Sequence, residues 1–185
     1  MKRFIFYAAI LLFTTQMLYG ENKDIKNIRK WFKEINQKSN PNEINYPMLV
    51  INDDQYSTEG GRITVFLSKK KFKKISAVYL GETNKYQVDF YFKDGKVFFI
   101  YQVRTIYNAP IYITKPEAEK QGIEAFNPEK SKVQATRYYY KDGKLIRFIN
   151  EKNKKINVDD KSVKEKSKAV KEELKRILAI IKKEI

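Results

Sequence analysis

The chain contains neither cysteine nor histidine among its 185 residues. Without cysteine there is no disulfide and no thiol chemistry, so packing alone must stabilise the fold. Without histidine, Ser-His-Asp and Cys-His arrangements and histidine-based zinc sites are excluded. An enzyme of this composition would depend on carboxylates, lysines or tyrosines. We therefore predict that the protein is not an enzyme, and we expect no catalytic residue, no cofactor and no metal site.

Acidic residues are also in deficit, with 22 Asp and Glu against 38 Lys and Arg and a formal net charge of +16. Such a surplus favours anionic ligands or peripheral contact with a membrane. The densest cluster, KKKFKK at 69–74, falls where we expect a turn, and a solubilising surface is the simpler interpretation. A nucleic-acid partner is not favoured, because the aromatic residues between the basic ones alternate as in a sheet core.

Residues 1–20 have the pattern of a secretory signal peptide. Lys2 and Arg3 precede an apolar run from Phe4 to Phe13, and Gly20 suits the position before a cleavage site. This pattern predicts export to the periplasm or the extracellular space, with residues 21–185 as one mature domain. An uncleaved membrane anchor is the alternative, because residues 4–20 approach the length that spans a bilayer.

The middle of the chain alternates between apolar and polar residues in short runs rich in β-branched and aromatic side chains, which is typical of strands. No helix-length segment separates the first five runs, so we expect an antiparallel meander of six or seven strands in an α+β fold. The predicted strands are 46–51, 62–67, 72–80, 86–93, 96–107, 133–141 and 144–150.

One phrase occurs twice, as YFKDGKVFFI at 91–100 and YYKDGKLIRF at 139–148. Asp-Gly between two alternating runs predicts a two-residue type I′ hairpin turn. Pairing Lys93 with Lys96 would place Phe90 and Phe99 on one wholly apolar face, which we expect to be the core. The same register in the second copy places Tyr138 opposite Arg147.

Helices are predicted at both ends of this sheet. Residues 25–37 carry apolar side chains at helical spacing, and Asp24 is a suitable N-cap. From Ser162 onward a second amphipathic pattern follows, with Glu165 completing a capping box. We expect both helices to pack on the sheet. A membrane-surface position is an alternative for the C-terminal helix because it is basic and amphipathic, and a coiled-coil partner is a weaker one.

The segment 108–132 is the least regular part of the chain, and long loops are often functional. Within it, Thr114, Glu117 and Gly122 predict a short capped helix. Arg147 of the second hairpin replaces an aromatic residue of the first, which indicates either a wet sheet edge or a polar patch. The residues that we expect at a binding surface are Arg104, Tyr107, Tyr112, Tyr138 and Arg147.

Two further motifs carry weak signals. Adjacent carboxylates at Asp53 and Asp54 are able to bind a hard cation, but a solvated turn is the more common role of such a pair. STEGGR at 57–62 has paired glycines without the Lys-Ser/Thr ending of a phosphate loop, so it predicts a loop entering a strand.

The succession STEGGRITVF, FKKISAVYLGETNKYQVDFYFKDGKVFFIY, YNAPIYI, FNPEK and RYYYKDGKLIRFI resembles a loose family of uncharacterised exported bacterial proteins with aromatic YxKDGK hairpins. The resemblance covers most of residues 57–150. It implies no activity and no functional residues. The YxKDGKL phrase is also similar to MORN-like hairpin repeats, although the interval of 48 residues departs from their close tandem spacing.

Together these patterns predict an exported, non-catalytic binding module whose partner is an envelope protein or an anionic ligand. An inhibitor or chaperone-like partner of another envelope protein is the alternative. A hydrolase that uses only carboxylates is a third hypothesis, which the missing histidine and cysteine make weaker.

Overall fold

The computed structural model describes residues 23–38, 48–53, 57 and 59–184. Within these residues the chain forms three helices and one antiparallel sheet of eight strands, so the α+β meander is confirmed with one strand more than the upper prediction. The predicted signal peptide lies outside the described residues.

The strands have the same order in the sheet as in the chain, and every neighbouring pair is antiparallel. Their bounds are β1 Met48–Asn52, β2 Gly61–Ser68, β3 Lys71–Leu80, β4 Asn84–Lys93, β5 Lys96–Ile106, β6 Lys132–Lys141, β7 Lys144–Ile149 and β8 Lys155–Ile156. The strand that the sequence did not predict, β8, has two residues and pairs with the end of β7.

The helices are α1 at Lys23–Lys38, α2 at Lys115–Gln121 and α3 at Lys161–Glu184. The capping box of α2 is confirmed, since the Glu117 carboxylate accepts a hydrogen bond from Thr114 N at 2.8 Å and Gly122 ends the helix with a φ of 65°. For α3 the predicted cap is wrong. Asp160 caps it instead, accepting from Ser162 Oγ at 2.7 Å and from Ser162 N at 2.8 Å, and these two bonds lower the pKa of Asp160.

Two hydrophobic cores lie on opposite faces of the sheet. The core under α1 contains Ile25 and Ile28 with Tyr91, Phe99 and Tyr139. The core under α3 is larger and is built from the opposite alternation of the strands. Its fully buried members include Ile63, Ile75, Val88, Phe90, Ile100, Phe148, Val163, Ile177 and Ile181. Both terminal helices therefore pack on the sheet, one on each side.

Both Asp-Gly turns form as predicted, with positive φ at Asp94, Gly95, Asp142 and Gly143. A third turn of the same kind joins β2 to β3 at 69–70, as the lysine cluster predicted. These three turns lie at one end of the sheet, because alternate turns of a meander share an end. We call this the turn end, and the other the loop end.

The predicted register is wrong beyond the turns. Each of the three hairpins has a β-bulge at the same place, between Phe66 and Leu67, between Tyr91 and Phe92, and between Tyr139 and Tyr140. One unpaired residue on the returning strand reverses the face of every residue after it. Phe90 therefore pairs with Ile100 rather than Phe99, so Phe90 and Phe99 are both buried but in different cores.

Candidate functional site

A groove of about 1150 Å³ lies between the sheet and α3 and opens toward the loop end. Helix α3 crosses the strands, because Ser167, Glu173 and Arg176 contact tyrosines of β6, β4 and β3 in that order. The flank of the helix nearer the loop end and the strand ends beneath it form the two walls. The polar side chains that line the groove include Tyr86, Gln102, Arg104, Tyr138, Glu173 and Arg176.

A chain of side-chain hydrogen bonds runs across the floor of this groove. Tyr138 donates from its hydroxyl to Gln102 Oε1 at 2.8 Å. Gln102 Nε2 donates to the hydroxyl of Tyr86 at 2.7 Å, and Tyr86 donates in turn to Glu173 Oε2 at 2.7 Å. The bulge in β5 makes this possible, because it turns Gln102 to the face that carries Tyr86 and Tyr138. Every bond therefore points toward Glu173.

Glu173 ends the chain with one oxygen that the protein does not satisfy. Its Oε1 is buried and accepts no hydrogen bond from any residue that the structure describes. A buried acceptor without a donor is costly, so such a group is a candidate for a ligand contact. Burial raises the pKa of Glu173, and it also raises the pKa values of Tyr86 and Tyr138, so both phenols remain protonated donors at neutral pH.

Charges of both signs line the groove. Arg176 is held by Asp53, with Nη1 and Oδ2 2.8 Å apart, and Tyr79 donates to the same Asp53 oxygen at 3.0 Å. The more common role suggested for this carboxylate, a solvated turn, is therefore wrong for Asp53, which is 6% exposed. Ten residues earlier on α3, Lys166 Nζ lies 3.9 Å from Glu151 Oε2. Arg176 and Lys166 therefore each have an acidic neighbour within the protein.

The residues predicted for a binding surface do not all meet. Arg104 and Tyr138 line the groove. Tyr107 and Tyr112 lie in the crossover 107–131 between β5 and β6. The ring of Tyr107 packs on Phe126 with centroids 5.2 Å apart, and Tyr112 is 56% exposed. Arg147 lies on the opposite face, over the ring of Tyr139, because the bulge in β7 pairs Tyr138 with Phe148 instead.

Sequence reasoning missed Tyr86, Gln102, Glu173 and Arg176 as members of a site. One signal was present. Glu173 lies three residues after Val170 and four before Ile177, so it belongs to the apolar stripe of α3 rather than to its polar face. A carboxylate within a buried stripe requires a partner, and this indicates a polar site beneath the helix.

A second polar cluster is buried under α1 and is structural. Asp89, 4% exposed, accepts from Ser76 Oγ at 2.6 Å and pairs with Lys74 Nζ at 3.1 Å. Tyr91 donates to Asn36 of α1 at 3.0 Å and thereby links this cluster to the helix. Its polar groups have partners within the protein, so we assign it no ligand.

Among residues 23–38, 48–53, 57 and 59–184, no three carboxylates group as a metal ion would require. Nor does any helix in this part of the chain combine the length and the apolar character needed to cross a bilayer.

Comparison of the chain with protein-family models, with curated proteins and with solved structures gave no match. The protein is an α+β domain with a meander sheet and a helix on each of its faces.

Proposed function

We propose that the protein is an exported, non-catalytic binding module whose ligand lies in the groove between the sheet and α3. One observation carries this proposal: the directed chain from Tyr138 through Gln102 and Tyr86 to Glu173, whose Oε1 accepts no hydrogen bond from the described residues. A ligand that donates an O–H or N–H group to this oxygen would satisfy it. Export rests on the signal-peptide pattern of residues 1–20.

The lining chemistry favours a neutral, hydroxyl-bearing ligand such as an oligosaccharide. Carboxylate oxygens accept hydrogen bonds from hydroxyl groups, while amides such as Gln102 and Gln134 both donate and accept them. Tyr79 and Tyr86 stack with their ring centroids 6.1 Å apart and add apolar surface at the same wall. Because Arg176 and Lys166 have acidic neighbours, a strongly anionic ligand gains little here.

The test is a nuclear magnetic resonance titration of the labelled protein with three probes: chitotetraose, citrate and a tetra-alanine peptide. We expect chitotetraose to shift the signals of Gln102 and of its neighbours in the groove, and citrate to leave them unchanged. Glu173→Gln should weaken binding of chitotetraose at least tenfold, because it replaces the acceptor pair with an amide. Glu165→Gln, an exposed change on the same helix outside the groove, is the matched control.

Two results would contradict the proposal. One is a set of shifts that maps to the crossover 107–131 or to the α1 face. The other is equal affinity of wild type and Glu173→Gln for every probe that binds.

The partner or inhibitor alternative is supported by a different surface. Ile111, Tyr112 and Ile123 are each at least 41% exposed and lie in the crossover, and Val133 in β6 is 64% exposed. Several exposed apolar side chains in one segment are typical of protein contacts. Affinity capture from the envelope fraction by wild type, but not by Tyr112→Ser/Ile123→Ser, would favour this alternative over the groove.

A carboxylate-only hydrolase is the third candidate, and the raised pKa of Glu173 favours it, since a carboxyl group whose pKa is raised by burial is suited to general acid catalysis. Glu151 lines the same groove, and among the described residues it is the one acidic lining residue that does not belong to α3. Cleavage of chitotetraose by wild type and its loss in both Glu173→Gln and Glu151→Gln would establish catalysis in place of simple binding.

A further inference from the structure

The turn end of the sheet carries an accumulation of exposed lysines. The turns at 69–70, 94–95 and 142–143 all lie there, about 10 Å apart, since each is separated from the next by two strand spacings. Their proximity is visible in the ion pair between Lys96 Nζ and Asp142 Oδ1 at 3.0 Å, which joins two turns. The lysines that form or flank the turns are Lys69, Lys70, Lys71, Lys93, Lys96, Lys141 and Lys144.

Acidic side chains compensate only part of this charge. Asp94 and Asp142 lie in the turns, and Asp24 of α1 pairs with Lys141 at 2.9 Å. Seven lysines therefore face three aspartates, which leaves the turn end with net positive charge. The groove at the loop end has no such surplus, so the two ends of the molecule differ in the partner that they favour.

An apolar cleft opens beside these lysines. It has a volume of about 410 Å³ and lies under the flank of α3 that faces the turn end. Val97, Ile100 and Leu174 supply its apolar lining, and exposed lysines stand around it: Lys96, Lys171 and Lys175. Apolar surface next to ammonium groups suits an amphiphile with an anionic head, whereas a nucleic acid would need phosphate contacts and open aromatic faces.

The N-terminal part of the chain joins the domain at this same end. Helix α1 begins at Lys23, and the ion pair of Asp24 with Lys141 places its start beside a turn. The start of α1, which follows the apolar run from Phe4 to Phe13 in the sequence, is therefore at the turn end. If that segment is retained as an anchor, the lysines face the bilayer to which it is bound.

We infer that the turn end is a docking surface for a membrane that contains anionic phospholipid, with headgroups on the lysines and acyl surface at the cleft under α3. The groove then faces away from the bilayer. This inference does not depend on the groove or on its ligand, because the groove and the cleft lie on opposite flanks of α3 and share no lining residue.

The test measures sedimentation of the full chain with vesicles of phosphatidylcholine alone and of phosphatidylcholine mixed with phosphatidylglycerol. Two variants remove equal charge from opposite ends. The turn-end variant is K69Q/K70Q/K71Q/K144Q, and the loop-end control is K115Q/K120Q/K132Q/K152Q. These eight lysines are exposed, so both variants should fold, which thermal melts would verify.

We expect the turn-end variant to lose at least tenfold in affinity for the mixed vesicles, since one lysine near an anionic surface contributes about fivefold. The control should lose less than threefold, and binding to phosphatidylcholine alone, which reports the N-terminal segment, should be equal in all three proteins. Equal losses in the two variants, or no preference of wild type for the mixed vesicles, would overturn the inference.

Orientation has its own reporter, because Trp31 is the single tryptophan of the chain and lies at the turn end, with Lys93 Nζ 5.6 Å from its ring centroid. Brominated phosphatidylglycerol in the mixed vesicles should quench its fluorescence in wild type and in the loop-end control, and less in the turn-end variant. Binding without quenching would show that another surface meets the membrane and would also overturn the inference.

Discussion

Arg176 Nη1 lies 2.8 Å from Asp53 Oδ2 and joins the C-terminal helix to the end of β1 across 123 residues of sequence. Arg176 also donates to the hydroxyl of Tyr79, so three elements meet at one partly buried charge pair. The pair closes one wall of the groove. The same ion pair therefore stabilises the fold and holds Arg176 in place beside the groove.

Asp53→Ala should destabilise the protein by about 3 kcal/mol, because it leaves the guanidinium of Arg176 without its buried carboxylate. The Arg176 side chain is only 26% exposed and the Asp53 side chain 6%, so water compensates little. The measurement is urea unfolding at neutral pH. As a control, Glu172→Ala breaks an exposed pair with Lys175 and should cost at most about 0.5 kcal/mol. Similar costs for the two changes would contradict this reading of the pair.

Glu173 predicts a distinct dependence of stability on pH. Burial raises its pKa in the folded state above the ordinary value of 4.5, so the folded protein binds the proton more tightly than the unfolded chain does. The resulting stabilisation is fully present below pH 4.5 and is lost as the pH rises through the folded pKa. Glu173→Gln cannot lose a proton there, so we expect it to gain stability relative to wild type as the pH rises from 4 to 7.

Urea midpoints of wild type and Glu173→Gln across this range would measure the effect, with Glu165→Gln as the control for removal of one exposed charge from α3. A constant difference between Glu173→Gln and wild type at all pH values would show that Glu173 ionises normally.

The two cores predict which aromatic residues are coupled. Phe99 and Phe32 of α1 lie with ring centroids 5.3 Å apart, so the double change Phe99→Ala/Phe32→Ala should deviate from additivity by about 1 kcal/mol. Phe99 and Ile177 of α3 lie in opposite cores, and their alanine variants should add within about 0.5 kcal/mol. The measurement is the free energy of unfolding of the single and double variants. If Phe99 were instead coupled to Ile177 and not to Phe32, the register without a bulge would be the correct one.

Two glycines should respond differently to alanine. Gly95 has a φ of +77° in the first Asp-Gly turn, and nothing would contact an added Cβ, so Gly95→Ala should cost about 1 kcal/mol of backbone strain. At Gly61 an added Cβ would lie 2.5 Å from the carbonyl oxygen of Asp53 and 2.9 Å from the Tyr79 ring. Gly61→Ala should therefore cost about 2–3 kcal/mol, because rigid backbone has to move. Thermal or urea unfolding would compare the two, and a larger loss at Gly95 would be the contrary result.

Most of the fold could be predicted because its signals are local. Asp-Gly at 94–95 and at 142–143 requires positive φ at both positions, and alternation on either side of a turn is a property of the flanking residues alone. The strand bounds consequently agree with the structure to within two residues wherever both ends are described. The short β8 was missed because two residues carry no periodicity.

The N-cap of α3 could not be predicted from local sequence alone. Ser162 with Glu165 is a valid capping box by spacing, yet Asp160 two residues earlier accepts the hydrogen bond from Ser162 N. Two suitable caps compete in this stretch, and the bend after Asn157, whose Oδ1 accepts from Asp159 N at 3.0 Å, favours the earlier one.

The sequence by itself determined the order of elements, the three turns and the amphipathic helices, because propensity and periodicity act over neighbouring residues. Only the tertiary structure decided which face each aromatic residue occupies and which polar groups meet beneath α3. The physical reason is the bulges: one extra residue after each turn exchanges the faces of Phe99 and Ile100 and brings Gln102 to Tyr86. Alternation in the sequence does not reveal that shift, because residues 97–101 are all apolar or aromatic and suit either face of the sheet.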